Sequence, residues 1–458
     1  MKTESIKPVV AVVGFNLFTL LVFVTAPVTW VTEHLADLCL LVLSCQLMIF
    51  LGYQVGQRSG SARATDSRLP FVRGRRLVNL LFTVYILTFL VSYAYKMEVS
   101  PLDVSGMMNR LIAGILDPRM GYFGSLQKSG DGPVRWSVFF AIAVFNQLFF
   151  VAGFLHWRRL GLGRKVVFAL LASLELFYWV ATATAFGVVA MASTLGLASL
   201  FSDRTRRLNL RTFATNALLL LVLLAGSITF FSYNLYRRAD FKEIDITQFD
   251  IVGMPVRGDA PTLVMVPQQL QQAYIKVVLY MGQGYYHACL ALGHEFRWTK
   301  FLGSNGSLVA LAERLGIDVW NDTYMHRLQR DGIDEYAVWH TAYAWYAGDV
   351  SFYGVPLLVF CLGYLFGFSW ARGAQGDFLS QIFFVMFGNM LVYLFANNTY
   401  LASVFYAMML FGPIWLLTRV VPVWLTVHTR HRRVAPPQAP LAGRTLPPAD
   451  IHGDRAET

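Results

Sequence analysis

One stretch of the chain, residues 274–354, concentrates side chains that can do acid–base chemistry. It contains the run 280–287 and closes with the run 339–354, which includes His340 and Asp349. A histidine with an unperturbed pKa of about 6.5 can accept a proton from a hydroxyl group, and so can a carboxylate. The stretch is therefore expected to carry the functional site, and the rest of the chain to act as its scaffold.

The composition indicates a membrane protein. Of the 458 residues, 56% are hydrophobic and 14% are charged, whereas soluble domains carry about 25% charged residues. Apolar runs of about 20 residues recur, and each can cross a ~30 Å hydrocarbon core as a helix. These features predict an all-α polytopic membrane protein with about ten transmembrane helices. The four cysteines have no metal-ligand spacing, so no metal site is predicted.

The basic residues predict the orientation in the membrane. Many of them lie in connectors beside apolar runs, and such connectors stay on the cytoplasmic side. The clearest examples are residues 58–76, 158–165, 204–207 and 430–433. Both termini are therefore expected in the cytoplasm. The net charge of +11 is attributed to contacts with anionic lipids and does not indicate a nucleic-acid partner.

The apolar runs divide the chain into four parts. Residues 1–232 are expected to hold spans 1–7, with spans 5 and 6 meeting at a turn near 182–184. Residues 233–345 are expected to form a large folded periplasmic loop that carries the site. Residues 346–427 hold spans 8–10, and the polar, proline-rich tail 428–458 is expected to be disordered in the cytoplasm.

Two glycines interrupt the helical pattern near the start of the predicted site. Residues 263–281 have apolar side chains at helical spacing, which predicts an amphipathic helix. Gly282 and Gly284 follow directly, so the helix is expected either to turn there or to end there.

The two favoured acid–base residues would not meet on a regular helix. His340 and Asp349 would face opposite sides of one continuous helix. They can share a site only if the helix breaks between them, and Gly348 is the expected place.

The residues of this stretch resemble a known family. The matching blocks are Gln283-Gly284-Tyr285-Tyr286, Leu290 and Leu292, Phe296-Arg297-Trp298-Thr299, Gly303-Ser304-Asn305-Gly306-Ser307, Trp339-His340-Thr341-Ala342-Tyr343, Asp349-Val350-Ser351-Phe352 and Gly354. In these blocks, and in having one large loop late in the chain, the sequence is similar to the oligosaccharide repeat-unit polymerases that build O-antigen and related surface polysaccharides. His287 departs from the pattern, because such sequences often have glycine there.

The resemblance implies a fold, a location and a reaction. Such polymerases have a GT-C-like architecture in the bacterial inner membrane and use neither a cofactor nor a nucleotide sugar. Their donor is a glycan chain on undecaprenyl diphosphate, and their acceptor is a single lipid-linked repeat unit. The chain moves en bloc onto the acceptor sugar at the periplasmic face. The implied partners are these two glycan lipids, the membrane lipids and a polysaccharide chain-length regulator.

This reaction needs cations for the diphosphate leaving group. Arginine suits the task because its guanidinium stays charged and binds phosphate through two parallel hydrogen bonds. The candidate cations are Arg297, Arg119, Arg110, Lys276, Arg327 and Arg330. Arg297 is favoured because it lies inside a matching block, whereas Arg327 and Arg330 lie in a polar run typical of a solvent-exposed helix.

The acceptor hydroxyl needs a base or an orienting acceptor. The candidates are His340, Asp349, His294 and Glu295. His340 is favoured, with Asp349 as a helix cap or partner. The candidate sugar contacts are Gln283, Tyr285, Tyr286, Trp339, Tyr343, Trp345 and Tyr346, with anchoring at the membrane interface as the alternative for the aromatic residues. The predicted outer segments lack an Asp-x-Asp motif, which favours a metal-independent mechanism.

Glu175 is an acid inside an apolar run. A carboxylate at the bilayer centre costs about 2.5–3.5 kcal/mol on insertion scales, so this residue should face other helices or be protonated. A structural partner and a role near the lipid substrate are both consistent with its position.

Two other functions remain open on the sequence. A ligase of similar architecture would pass the finished glycan to the lipid A core. A flippase or transporter usually shows internal repeats and paired broken helices, neither of which the sequence indicates. The block from Gln283 to Tyr286 favours the polymerase over the ligase.

Overall fold

A computed structural model describes residues 6–61, 79–80, 82–89, 93, 99, 103–117, 148–157, 160–182, 184, 186–202, 255–333, 340–396 and 399–421. Within these ranges the protein is helical, and its extended pairing is limited to one isolated antiparallel bridge between Val28 and Val256. That bridge fixes the segment after the first helix against the start of the 255–333 region.

The helices follow one another along the chain. They are α1 (Lys7–Val24), α2 (Leu35–Ser61), α3 (Val104–Leu116), α4 (Leu162–Ala181), α5 (Phe186–Ser202), α6 (Pro261–Val264), α7 (Gln268–Leu292), α8 (Gly306–Arg314), α9 (Tyr324–Arg327), α10 (Ala342–Ala374), α11 (Phe378–Val392) and α12 (Thr399–Trp415). Short 3-10 segments lie at Trp320–Asp322, Leu328–Asp331 and Tyr393–Phe395, and a π-helical turn, Leu416–Val420, follows α12.

Four helices of the described residues are long and apolar enough to cross a membrane. They are α1, α2, α10 and α11 together with the 3-10 turn that extends it to Phe395. Shorter apolar helices lie at Val104–Leu116, Phe186–Phe201 and Val404–Val420. The helical, membrane-type architecture predicted from the sequence is thereby confirmed. The predicted span 7, at about 212–232, and the polar tail lie outside the described residues, and spans 3 and 4 are described only in part.

Helices α2 and α10 pack against each other along their length with their backbones in close contact. A Cβ atom on Gly56 of α2 would lie 2.0 Å from the carbonyl oxygen of Tyr364. A Cβ on Gly367 of α10 would lie 2.1 Å from the carbonyl oxygen of Tyr53. Small residues at such positions let apolar helices approach closely. The glycines therefore allow the close backbone contact between α2 and α10.

Replacing Gly56 by leucine is expected to prevent correct folding. The new side chain would have to displace the backbone of α10, which should cost more than the roughly 1–3 kcal/mol of ordinary overpacking. The yield of monodisperse protein in detergent measures this effect. Gly14→Leu in α1 is the matched control because a Cβ there meets open space, and its yield should equal that of wild type. Similar yields for both variants would contradict this account of the interface.

Helix α10 changes character at Ser351. The backbone there is non-helical, with φ 60° and ψ 165°, a region that side-chain-bearing residues rarely occupy. Residues 342–349 before the break are all buried, whereas Tyr353, two residues after it, is 97% exposed. The expected break at Gly348 is therefore wrong by three residues. The break at Ser351 separates a part of α10 that is buried by the surrounding protein from a part with exposed apolar side chains.

The turn expected at Gly282 and Gly284 is also wrong. Helix α7 continues through both glycines to Leu292. A Cβ on Gly282 would lie 3.0 Å from the Trp30 ring, and one on Gly284 would lie 3.0 Å from the Phe395 carbonyl oxygen. The glycines therefore provide close packing inside a regular helix.

Thr182 and Thr184 lie between α4 and α5, close to where the sequence predicts a turn. Thr182 ends α4, and its hydroxyl lies 2.9 Å from that of Thr184. The long apolar run thus folds back on itself through two threonines.

Candidate functional site

Helix α7 and the residue before α10 bring two histidines together. The chain can approach α7 closely at Gly284, where a Cβ would lie 3.3 Å from the backbone nitrogen of Thr341. One turn further along α7, the His287 ring lies 5.0 Å from the His340 ring, centroid to centroid. Sequence reasoning treated His287 only as a departure from a pattern, although it is fully buried beside the favoured base.

His340 is a neutral imidazole in this environment. Its side chain is 2% exposed, and neither ring nitrogen has a hydrogen-bond partner among the described residues. Burial, reinforced by His287, lowers the pKa of His340 to about 3. The ordinary pKa assumed from the sequence therefore does not apply. A neutral ring with a weakly basic nitrogen is better suited to orienting a hydroxyl than to holding its proton.

Asp349 clamps a loop onto α10. Its Oδ1 accepts hydrogen bonds from the Thr299 hydroxyl at 2.5 Å and the Gly303 backbone N–H at 3.0 Å. Its Oδ2 accepts from the Ser304 backbone N–H at 2.8 Å. In addition, the Thr299 N–H donates to the carbonyl oxygen of Gly348. A carboxylate that accepts three hydrogen bonds from residues 299–304 is committed to holding this loop.

The clamped loop contains an unusual turn. Lys300 and Phe301 both have positive φ, at 59° and 61°. Side-chain-bearing residues pay roughly 1–2 kcal/mol each in this region. Such a turn persists only where the surroundings impose it, and the three bonds to Asp349 provide that constraint.

A buried arginine lies close to this loop. Arg327, the last residue of α9, is 4% exposed and lies over the Tyr324 ring at 4.5 Å. Its Nη1 donates to the backbone carbonyl oxygen of Glu295 at 2.6 Å. The Nε and Nη2 atoms have no hydrogen-bond partner among the described residues. Burial lowers the pKa of Arg327, while Tyr324 acts in the opposite direction.

Arg297 is the accessible neighbour of Arg327. Its positive charge is near enough to contribute to lowering the pKa of Arg327. Its side chain is 46% exposed and lies 4.0 Å from Asp322, so this ion pair is weak. The two arginines form a pair of cations, of which Arg327 is buried and Arg297 faces solvent. An anion bound at this place would be attracted by both charges.

Exposed aromatic side chains lie close to Arg297 along the chain. Phe296, Trp298 and Phe301 are all exposed, and the Trp298 and Phe301 rings meet edge to face at 5.4 Å. Exposed aromatic rings beside a cation suit a ligand that carries both apolar sugar faces and phosphate. Sequence reasoning did not select these three residues, although Phe296 and Trp298 lie inside a matching block.

The aromatic residues chosen from the sequence are mainly packing residues. The Tyr285 hydroxyl lies 3.0 Å from that of Thr19, and its ring stacks near Tyr343. Tyr286 stacks on Trp30 and donates to the carbonyl oxygen of Val31. The other two candidates on α10, Trp345 and Tyr346, are buried as well. These rings lie between helices and make packing contacts.

The remaining candidates are scattered. Lys276 is buried on α7, about 16 Å along the helix from His287, and burial lowers its pKa to about 8. Gln283 is half-buried and Arg110 is exposed on α3. Glu175 is buried and accepts a hydrogen bond from the Trp179 indole at 3.1 Å, as a structural partner would require.

Two candidates lie outside the described residues, namely Arg119 and Trp339. Of the alternative bases, His294 pairs with Asp331 at 2.6 Å, and Glu295 contributes its backbone carbonyl to Arg327. Arg330 is exposed, as the polar run predicted, whereas Arg327 is not.

The fold and site define a class rather than a family. The protein is helical, with several helices apolar enough to be embedded in a membrane and a clamped cationic, aromatic loop beside the longest of them. No family model, curated protein or solved structure matches the chain.

Proposed function

We propose that this protein polymerises lipid-diphosphate-linked oligosaccharide repeat units at the outer face of a bacterial inner membrane. The observation that carries the proposal is the buried Arg327 guanidinium. Two of its nitrogens lack partners among the described residues, and it lies beside the accessible Arg297. Buried guanidinium groups are normally paired, and a diphosphate would supply the missing acceptors through a two-pronged contact.

The length of α10 supports a site at the membrane surface. Its 33 residues form two helical parts that meet at Ser351, and the hydrocarbon core is about 30 Å thick. The twenty or so residues after the break at Ser351 are enough to span that core. The protein-wrapped residues 342–349 would then project beyond it. The clamped loop packs on this projecting part, where the diphosphate of a membrane-anchored donor would lie.

The proposed reaction is a glycosyl transfer with a diphosphate leaving group. The acceptor hydroxyl oxygen forms a bond to the anomeric carbon of the donor glycan, and the bond from that carbon to the diphosphate oxygen breaks. Arg327 and Arg297 stabilise the negative charge that the departing diphosphate gains. His340 accepts a hydrogen bond from the acceptor hydroxyl and orients it. Because the pKa of His340 is low, the proton passes on to the leaving diphosphate or to solvent.

The finer architecture belongs to the same proposal. About ten spans and cytoplasmic termini agree with the apolar runs and the basic connectors, and the GT-C-like arrangement is what the resemblance to the polymerases implies. The two lipid-linked glycans, and a chain-length regulator, are the partners that this reaction would require.

The surface polysaccharide of a deletion strain tests the proposal. If the protein is a polymerase, the strain should carry a single repeat unit on its lipid A core, and the full-length gene should restore the ladder of longer chains. A core without any glycan would instead indicate the ligase or the flippase. An unchanged ladder would remove the protein from this process altogether.

A further inference from the structure

The connection from α6 into α7, residues 261–270, carries large apolar side chains that face outward. Val264 is 67% exposed, Met265 is 83% exposed and Leu270 is 57% exposed. The side-chain amide of Gln271 holds this segment in shape, because it donates to two of its backbone carbonyl oxygens at 3.2 and 3.1 Å. The 261–270 turn therefore presents apolar side chains from a backbone that hydrogen bonds fix.

The sequence around this turn lacks charge. Residues 260–275 contain no Lys, Arg, Asp or Glu, and neither do residues 8–32, which include α1. Soluble domains carry about 25% charged residues, and contiguous exposed apolar patches on them usually mark an interaction surface. A charge-free segment with three exposed apolar side chains is therefore unsuited to contact with water alone.

Hydrogen bonds attach the 261–270 turn to the end of α1. The Thr262 hydroxyl donates to the carbonyl oxygen of Thr25 at 3.1 Å. Just before the turn, the Arg257 guanidinium donates to the carbonyl oxygen of Ala26 at 3.1 Å. Helix α1 is apolar enough to cross a membrane, and its length of about 27 Å is close to the ~30 Å thickness of the hydrocarbon core. Thr25 then lies at the boundary of that core, and the turn lies beside it.

We infer that the 261–270 turn inserts its apolar side chains into the lipid bilayer at the end of α1. Leu21 and Val24, in the last part of α1, are exposed as well, so apolar side chains suited to lipid lie on both sides of the bond between Thr25 and Thr262. A second copy of the chain fits this surface less well. A stable dimer buries about 800 Å² on each partner, which three side chains cannot supply. This surface is independent of the proposed glycosyl transfer.

A photo-crosslinking amino acid in the full-length protein tests the inference. p-Benzoylphenylalanine in place of Met265 reacts on irradiation with a C–H bond that lies next to it. In phosphatidylcholine nanodiscs, the mass of this variant should increase by one phospholipid. The matched control carries the same amino acid in place of Leu315, which is 68% exposed but follows the charged residues Glu313 and Arg314. Its lipid adduct should be about tenfold weaker, because no apolar insertion is expected there.

A charge on the turn tests whether apolar side chains drive the insertion. With p-benzoylphenylalanine in place of Val264, the added substitution Met265→Asp should weaken the lipid adduct about tenfold, because a carboxylate avoids the apolar phase. Met265→Leu should preserve the adduct. An adduct with a second copy of the chain instead of lipid, an equal lipid adduct at Leu315, or an unchanged adduct in Met265→Asp would each overturn the inference. If the variant at Met265 does not fold, the variant at Val264 decides alone, and the absence of a lipid adduct there would refute the insertion.

Discussion

Arg327→Ala is expected to abolish polymer formation while the protein remains in the membrane. The substitution removes the two guanidinium nitrogens that lack a hydrogen-bond partner among the described residues from the buried side of the proposed diphosphate site. Loss of one such charge-stabilising group typically costs about 10²–10³-fold in turnover. Polymer length in a complemented deletion strain measures the effect in cells. Turnover of a purified lipid-linked repeat unit measures it in vitro.

A lysine in place of Arg327 distinguishes a role in binding the diphosphate from a role in supporting the loop. Its ammonium group can still donate to the carbonyl oxygen of Glu295, but it cannot replace the planar fork of arginine. Arg327→Lys should therefore fold normally and recover little activity. Arg330→Ala is the matched control, because Arg330 is exposed three residues further along, and it should polymerise normally. Full-length polymer from Arg327→Ala would show that the buried guanidinium only supports the loop.

The contrast between Arg327 and Arg297 shows what sequence reasoning could not reach. Arg297 was favoured because of its neighbours in the sequence, and the structure places it at an exposed position with a weak ion pair. Arg327 was assigned to a solvent-exposed helix because the residues around it are polar. Its helix is only four residues long, too short for a periodic pattern to reveal a buried face. Arg327 lies over the Tyr324 ring of its own short helix and donates to the backbone carbonyl oxygen of Glu295. The contact with Glu295 is one that only the tertiary fold provides.

The glycines of α7 also show that tertiary contacts decide what a local pattern cannot. Gly282 and Gly284 were expected to interrupt or end a helix because glycine favours turns. Their neighbours are Trp30, Thr341 and Phe395, all distant in sequence. Whether a glycine breaks a helix or admits a close neighbour depends on such partners, so local patterns cannot decide. The turn between α4 and α5 was predictable because an apolar run longer than one span must fold back.

The sequence identified His340 and Asp349 as candidate acid–base residues, but it could not predict their positions relative to each other. A regular helix would place His340 and Asp349 on opposite sides, so whether the two meet depends on where the helix breaks. In the structure, His340 precedes the helix and Asp349 lies within its buried part. The two residues therefore have different neighbours and separate tasks. His287, the actual neighbour of His340, lies on another helix and has no signal in the local sequence.

Asp349→Asn is expected to loosen the loop that carries Arg297 and, through it, to lower turnover. The amide can keep one acceptor for Thr299 and Gly303, but it would present a donor to the N–H of Ser304. An unsatisfied buried donor costs about 1–3 kcal/mol. That cost corresponds to about 5–150-fold faster hydrogen exchange at the amides of residues 303 and 304. Asp349→Ala removes every acceptor. It should therefore speed hydrogen exchange at these two amides, and lower turnover, more than Asp349→Asn does.

Hydrogen exchange and turnover measured together distinguish a positioning residue from a catalytic one. If Asp349 acts by holding the loop, the faster exchange of the Gly303 and Ser304 amides should accompany a raised KM for the lipid-linked donor. Asp318→Asn, at an exposed acid outside the clamp, should change neither quantity. If Asp349→Asn instead eliminates turnover while both amides keep their wild-type protection, Asp349 must accept the proton of the substrate hydroxyl itself. His340 would then be the supporting residue, and the roles assigned to the two would be exchanged.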